Sequence, residues 1–459
     1  MRHGITIPLL VTLATQFLWP FLWGGVPAWA QAPQRVVLDL RESIRTAIAR
    51  SPEVKGAWFE VEGFLGKKMQ ADAAKLPQID LTSVLGPSPR ARGDQVSSPD
   101  STSDPQITGI FLRGDLQVIV PLYTWGMIES FQEAARRGVE AAKQGVRIKS
   151  GDVALRVSQA YWGLVLTKEL RRLLEEIGTQ MDEGVERVER LLEGGFSSEI
   201  DLYKLKTFQG EVAKTRNLVE RGETLAKEAL RAWLGLAGSV EGDVKEDRLP
   251  TELAAPLALE LLIEESRQKR PEFTALREGI LARKALVEAE KAKRYPLFFF
   301  GLFGSLAHAT NRDRLTNPFV MDPLHHGFFG PVVGFKYGLD FGVTDGRIKE
   351  AEAEVGKLEA LQAFAEEGIP LQIRKAYGEL EEARKNSLAL AEAFANAKKW
   401  VVAALANFDL GIGEAKDLAD AVLAYARSQA EYFQALFTYQ VGVAALEQAV
   451  GRNVADVAF

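Results

Sequence analysis

Chemistry needs nucleophiles, metal ligands or a phosphate cradle at workable spacing, and this sequence is thin in all three. It contains no cysteine, which removes thiolate catalysis, disulfides, cysteine-based zinc or iron–sulfur sites, and any lipidated N-terminal cysteine. Past the N-terminal leader the histidines are His308, His325 and His326. A metal-binding loop is one reading of that group. A solvated loop is the favoured one, because no spaced carboxylate cluster completes a site around it. The run GFFGPVVG at 327–334 has glycines but lacks the lysine and the strand-to-helix context of a phosphate cradle. No Gly-x-Ser-x-Gly elbow and no metalloprotease helix motif occurs, and nothing positive marks a Ser/His/Asp triad. The expectation is a non-enzyme with no cofactor and no bound metal.

Composition narrows the classes further. The 459 residues are 47% hydrophobic and 26% charged, with mean hydropathy −0.07. That is too apolar for a disordered chain and too charged for a helical membrane bundle. Basic residues, 56 against 62 acidic, are scattered and the net charge is −6, which argues against a nucleic-acid partner. At the N-terminus, Arg2 precedes an uncharged stretch from Ile5 to Trp29, and Ala28 and Ala30 form a small-residue cleavage site before Gln31. Residues 1–30 are therefore expected to be a secretory signal peptide, the alternative being an uncleaved anchor.

The remainder is one unit written twice. SPEVKGAWFEVEGFLGKKMQADAAKLP (51–77) is answered by RPEFTALREGILARKALVEAEKAKRYP (270–296), 219 residues on. PLYTWG, ending at Gly126, is matched to FGVTDG, ending at Gly346. Ala160-Tyr161 answers Ala376-Tyr377, EGGFSSEIDL (193–202) answers DLGIGEAKDL (409–418), and Gly235 answers Gly451, all 216 residues on. A duplicated unit of this kind fixes the architecture before any motif does.

Two textures alternate inside each half. From Met127 to Glu193 no proline interrupts the chain, and a helix of that length spans roughly 100 Å. Steps of seven from Val139 reach Val146, Val153, Ala160, Thr167, Leu174, Met181 and Val188, and a following helix repeats Leu205, Val212, Val219, Ala226 and Trp233. These are heptads of helices packed along their length, with a compact helical bundle as the alternative. Ahead of the long helix the period becomes two. Ile110, Leu112, Leu116, Val118, Val120 and Leu122 share one face, as do Val333, Phe335, Tyr337, Leu339, Phe341 and Val343. Such strands suit a membrane barrel, lipid outside and water inside; ordinary hairpins packed on the helices are the competing reading.

The expected layout is a first repeat over 31–247, with strands about 78–86 and 110–122 and helices about 127–193 and 198–236. A second repeat over 248–459 has strands about 296–306 and 332–343 and helices about 345–409 and 414–451. The links 87–109 and roughly 307–331 read as exposed loops. Four strands cannot close a barrel, since known ones have at least eight. The chain must borrow strands from copies of itself, and three copies would supply twelve.

Leader, duplicated halves, strand pairs and heptad helices, in that order, resemble the TolC-like outer-membrane efflux protein family. Local marks are Pro52-Glu53, Pro271-Glu272, PLYTWG, FGVTDG, QAYW at 159–162, EGGFSSEIDL and LRAWLGL at 230–236. The resemblance implies a mainly α protein with β, a duplicated unit of two membrane-barrel strands plus long coiled-coil-like helices, forming a trimeric β-barrel and a periplasmic α-barrel. It implies a homotrimer in outer-membrane lipid working with a periplasmic adaptor protein and an inner-membrane pump, in efflux or type I secretion. The family's adaptor-docking turns fall at Gly195, Phe196 and Ser197 and at Gly411, Ile412 and Gly413, both departing from the usual Val-Gly-Leu-like pattern. Its acidic pore constriction falls at Asp201, Asp417 and Asp420; stabilising helix N-termini is the other role open to Asp201 and Asp417. The alternative function is a periplasmic adaptor, a membrane-fusion protein with coiled-coil hairpins. Phe459 matches the terminal aromatic of many barrels but follows a helix.

Overall fold

The computed structural model describes residues 34–91, 107–195, 197–236, 240–315, 318–319, 321–410 and 412–452. The expected leader, Phe196, Gly411 and Phe459 lie outside them. Strand β1 (Gln34–Leu38) is followed by α1 (Leu40–Arg50), α2 (Pro52–Ala73), β2 (Gln78–Pro89), β3 (Ile107–Tyr123), α3 (Met127–Glu193) and α4 (Glu199–Trp233). The second half runs β4 (Val240–Val244), α5 (Leu259–Lys269), α6 (Pro271–Ala292), β5 (Leu297–Ala309), β6 (His326–Lys336), α7 (Val343–Asp409) and α8 (Ala415–Val450). Among the described residues no helix is long and apolar enough to cross a membrane.

Both long helices have 67 residues, and their starts are built alike. Trp125 (φ 54°) and Gly126 (φ 80°) precede α3; Phe341 (φ 47°) and Gly342 (φ 115°) precede α7. Ile128 N donates to Thr124 Oγ1 and Thr344 N donates to Asp340 Oδ2, so Thr124 and Asp340 cap the two helices in the same way. The structural counterpart of Gly126 is therefore Gly342, not Gly346. Gly346 N instead donates to Gly342 O inside the first turn of α7. The FGVTDG match was a slip of four residues, and the spacing of 216 holds from this joint to Gly451.

The heptads do the packing. Val139, Val146, Val153, Leu174, Met181 and Val188 are all buried, and α3 pairs with α4 as α7 pairs with α8. Helix α3 also lies along α8, while α6 sits between α3 and α7. One apolar cluster gathers Ile44, Val61, Val157, Tyr161, Leu230 and Leu436 around the short helices. A second runs down the hairpins through Ile177, Met181, Val188, Leu205, Ala419 and Val422. Each half's last helix ends against its own first elbow. Gly235 (φ 60°) meets Arg50, and at Gly451 (φ 86°) a Cβ would lie 2.8 Å from Arg270 Cα. A buried ion pair, Lys168 Nζ to Asp243 Oδ1 at 2.8 Å, ties β4 to α3.

The sheet order is β2-β3-β5-β6, every pair antiparallel, while β1 and β4 form a separate parallel pair. One expectation fails here: the strand placed at 332–343 is found at His326–Lys336. The reason is the partner. Strand β5 begins at Leu297, which pairs with Lys336, so among the described residues nothing pairs with 337–343.

Candidate functional site

The two faces of the sheet differ, most clearly along β2 and β3. Register puts Ile79, Leu81, Leu112, Leu116, Val118, Leu302, Leu306 and Val333 on one side. Leu81 is 74% exposed, Leu306 69% and Val333 73%, so no helix covers this face and the reading of hairpins packed on helices is set aside. On the other side lie Asp80, Thr82, Arg113, Asp115, Gln117, Ser305 and His326, together with Phe303, Phe328 and Val332 of β5 and β6. Here Ser305 Oγ donates to Asp115 Oδ1 at 2.6 Å, Arg113 Nε lies 2.9 Å from Asp115 Oδ2, and His326 Nε2 sits 2.8 Å from Ser305 Oγ. An exposed apolar face backed by a hydrogen-bonded polar one is what a lipid-facing barrel wall requires. Near the ends of the strands Trp125 stacks on Tyr295 with ring centroids 4.7 Å apart and meets Tyr123 edge-on, an amphipathic cluster of the kind that marks a bilayer interface.

At the far end of the hairpins Asp201 and Asp417 fall in the first turns of α4 and α8, and Asp420 falls in the next turn of α8. Asp201 is tied down locally. Its backbone N donates to Ser198 Oγ, Ser198 Oγ donates to its Oδ2 at 2.7 Å, and Lys204 Nζ lies 3.4 Å from its Oδ1. Asp417 and Asp420 sit one turn apart on α8, and among the described residues neither has an ion-pair partner. The second apolar cluster brings the two helix starts to the same end, since it contains Leu202 and Leu205 of α4 and Ala419 and Val422 of α8. No hydrogen bond or ion pair joins Asp201 to Asp417 or Asp420 among the described residues. Of the expected docking turns, Gly195 (φ 76°) closes the first helix, Ser197 precedes the N-cap of α4, and Gly413 packs back on Asn407. Ile412 is exposed, as is the adjoining Leu410.

The histidines divide: His308 on β5 is exposed, whereas His325 and His326 are half-buried. The ring of His325 lies 5.0 Å from that of His308, and Ala309 N donates to its Nε2. Asp322 organises the connection: Arg312 lies 3.0 Å from its carboxylate, which also accepts from Leu315 N and Leu324 N. Sequence reasoning missed Asp322 and Arg312, which lie in a stretch with no periodicity to mark them. No group of three or more His, Asp or Glu among the described residues is arranged to hold a metal.

The outer membrane efflux protein family model matches the chain over residues 43–236 and again over 262–452, once in each half. The chain belongs to the outer membrane efflux protein family. As a member it is an outer-membrane exit duct of a tripartite efflux system, set in the bacterial outer membrane and reaching into the periplasm; it is a channel and not an enzyme. The adaptor alternative is thereby set aside. The fold is similar to that of CusC (TM-score 0.74, 17% identity, 91% of this chain and 93% of that one). It is also similar to the outer membrane protein VceC of Vibrio cholerae (0.71, 17%, 90% and 96%) and the CmeC outer membrane channel of Campylobacter jejuni (0.71, 15%, 90% and 85%). No curated protein matches the chain.

Proposed function

We propose that three copies of this chain close one twelve-stranded barrel in the outer membrane, continued by their α3/α4 and α7/α8 hairpins as a helical tube through the periplasm. The observation that carries this is the open sheet. Strands β2 and β6 are free edges, unpaired backbone groups are not tolerated in hydrocarbon, and closure by identical neighbours removes both edges at once. The duct supplies no energy of its own; a pump in the inner membrane drives export through a periplasmic adaptor. That adaptor docks at the tips, on Gly195, Phe196 and Ser197 and on Gly411, Ile412 and Gly413, where exposed Leu410 and Ile412 offer apolar contact.

The entrance narrows at the first turns of α4 and α8. Six carboxylates, Asp417 and Asp420 from each copy, ring the axis, and like charges held close favour cation binding, protonation or widening. Asp201 lies at the same level with its charge balanced by Lys204. The mass of the protein in detergent tests the assembly: a trimer supports it, and a monomer at concentrations where the fold is intact overturns it.

A further inference from the structure

We propose that Phe341 of one protomer seats on Leu76 and Pro77 of the next copy of this chain, and that residues 337–340 extend β6 along β2 of that copy with Tyr337 opposite Leu81. The proposal rests on the trimer reading above and specifies the joint between its subunits.

The template lies inside the chain, where the first repeat meets the second. There β3 pairs with β5, and immediately beyond, Trp125 stacks on Tyr295 at 4.7 Å and donates from Nε1 to Pro296 O at 2.9 Å. Phe341 is the counterpart of Trp125, as the two helix starts establish, and Leu76-Pro77 is the counterpart of Tyr295-Pro296. Both members of this second pair are bare: Phe341 is 98% exposed and Leu76 60%. A bulky side chain in the left-handed region is a genuine outlier. At Trp125 the ring contact accompanies that conformation; at Phe341 nothing among the described residues does.

The sheet gives an independent indication. Period-two alternation continues through Tyr337 and Leu339, both exposed, past Lys336, the last residue that β5 pairs. In the two hairpins Gln78 pairs with Ile119 and Leu297 with Lys336, so Leu297 corresponds to Gln78 and Lys336 to Ile119. Carrying the internal pair Val120↔Phe300 across this correspondence gives Tyr337 opposite Leu81, and Ile119↔Gly301 gives Lys336 opposite Thr82. The faces agree: Leu81 lies on the apolar side and Thr82 on the polar side. A register error of one residue would have reversed both.

Because the chain has no cysteine, engineered pairs report without background. The test uses the full-length protein in outer membranes, oxidised with copper phenanthroline and run on non-reducing gels, with the unmodified parent sized in detergent alongside. Tyr337→Cys with Leu81→Cys should give covalent trimer at least about fivefold more abundantly than Tyr337→Cys with Ile79→Cys or with Ser83→Cys, each two residues out of register. Phe341→Ala should lower the temperature at which the trimer separates, and Phe341→Trp should restore it. A shifted pair that links as well or better, or a Phe341→Ala trimer as heat-resistant as the parent, overturns the joint while leaving the trimer intact. A monomeric parent overturns the trimer itself.

Discussion

Lys204 and Asp420 stand at equivalent positions in the two hairpins, 216 residues apart, and carry opposite charges. Lys204, one turn after Asp201 on α4, holds its Nζ 3.4 Å from the Asp201 carboxylate, whereas one turn after Asp417 on α8 stands Asp420, a second carboxylate. The duplicated unit has kept its helix and reversed the charge at one step, so in the proposed constriction the carboxylates without a cationic neighbour come from the second half.

Replacing Asp417 and Asp420 together with alanine should lower cation-over-anion selectivity and relieve divalent block severalfold, read from reversal potentials across a salt gradient. Asp201→Ala should barely move selectivity and should instead cost about 0.5–1 kcal/mol of helix-start stability. Unaltered permeation in the double variant would remove both carboxylates from the constriction.

The two sheet faces should answer oppositely to the same charge. Leu81→Arg places a cation in hydrocarbon and should cost about 2–4 kcal/mol, seen as lost heat-resistant trimer in membranes. Thr82→Arg, one residue on and facing the polar side, should assemble as the parent does. Equal tolerance at both sites would mean the exposed apolar face meets no lipid.

Two glycines should respond with opposite sign when changed to alanine. Gly451 has φ 86°, and its added Cβ would sit 2.8 Å from Arg270 Cα, so Gly451→Ala should lose about 2 kcal/mol or more. Gly356 lies inside α7 with nothing within 4 Å of its Cβ position, and Gly356→Ala should gain about 0.5–1 kcal/mol. Thermal melts followed by far-UV circular dichroism distinguish the two.

Acid should loosen the C-terminal end of α8. Arg452 Nε and NH2 donate to the two oxygens of Glu265 at 2.8 and 2.7 Å, and this fork holds the Glu265 carboxyl at about 2, well below the ordinary 4.5. A depressed carboxylate adds stability that is fully present above the unfolded value and is lost as pH falls from 4.5 through about 2. The partly exposed pair is screened, so Glu265→Gln should cost about 1 kcal/mol at neutral pH and progressively less as pH falls from 4.5 through about 2. Glu447, raised by burial, works in the other direction. The difference between parent and variant isolates Glu265, and a gap that does not shrink on acidification would contradict the assignment.

Much of this fold was legible because its helices repeat one simple rule over many turns. Val139, Val146 and Val153 need only hydrophobicity at a fixed step to be recognised, and they are buried where that step puts them. Residues 110–122 alternate cleanly because lipid and water lie on opposite sides of β3. What stayed hidden depends on partners distant in sequence. The end of β6 is set by where β5 begins, the pairing of Asp322 with Arg312 follows no periodicity, and the equivalence of Gly342 with Gly126 rests on backbone conformation where the residue types mislead. The acidic residues of the proposed entrance could be named from resemblance, but that Asp201 has Lys204 beside it while Asp417 and Asp420 have no ion-pair partner among the described residues depends on the three-dimensional packing of the helix starts.

Single-channel recording of the purified protein, in its proposed trimeric assembly, in planar bilayers tests the duct most directly. Discrete ohmic steps are expected from the parent protein without any added energy source. Intact, correctly inserted trimers that pass no current under any applied voltage would contradict a passive conduit.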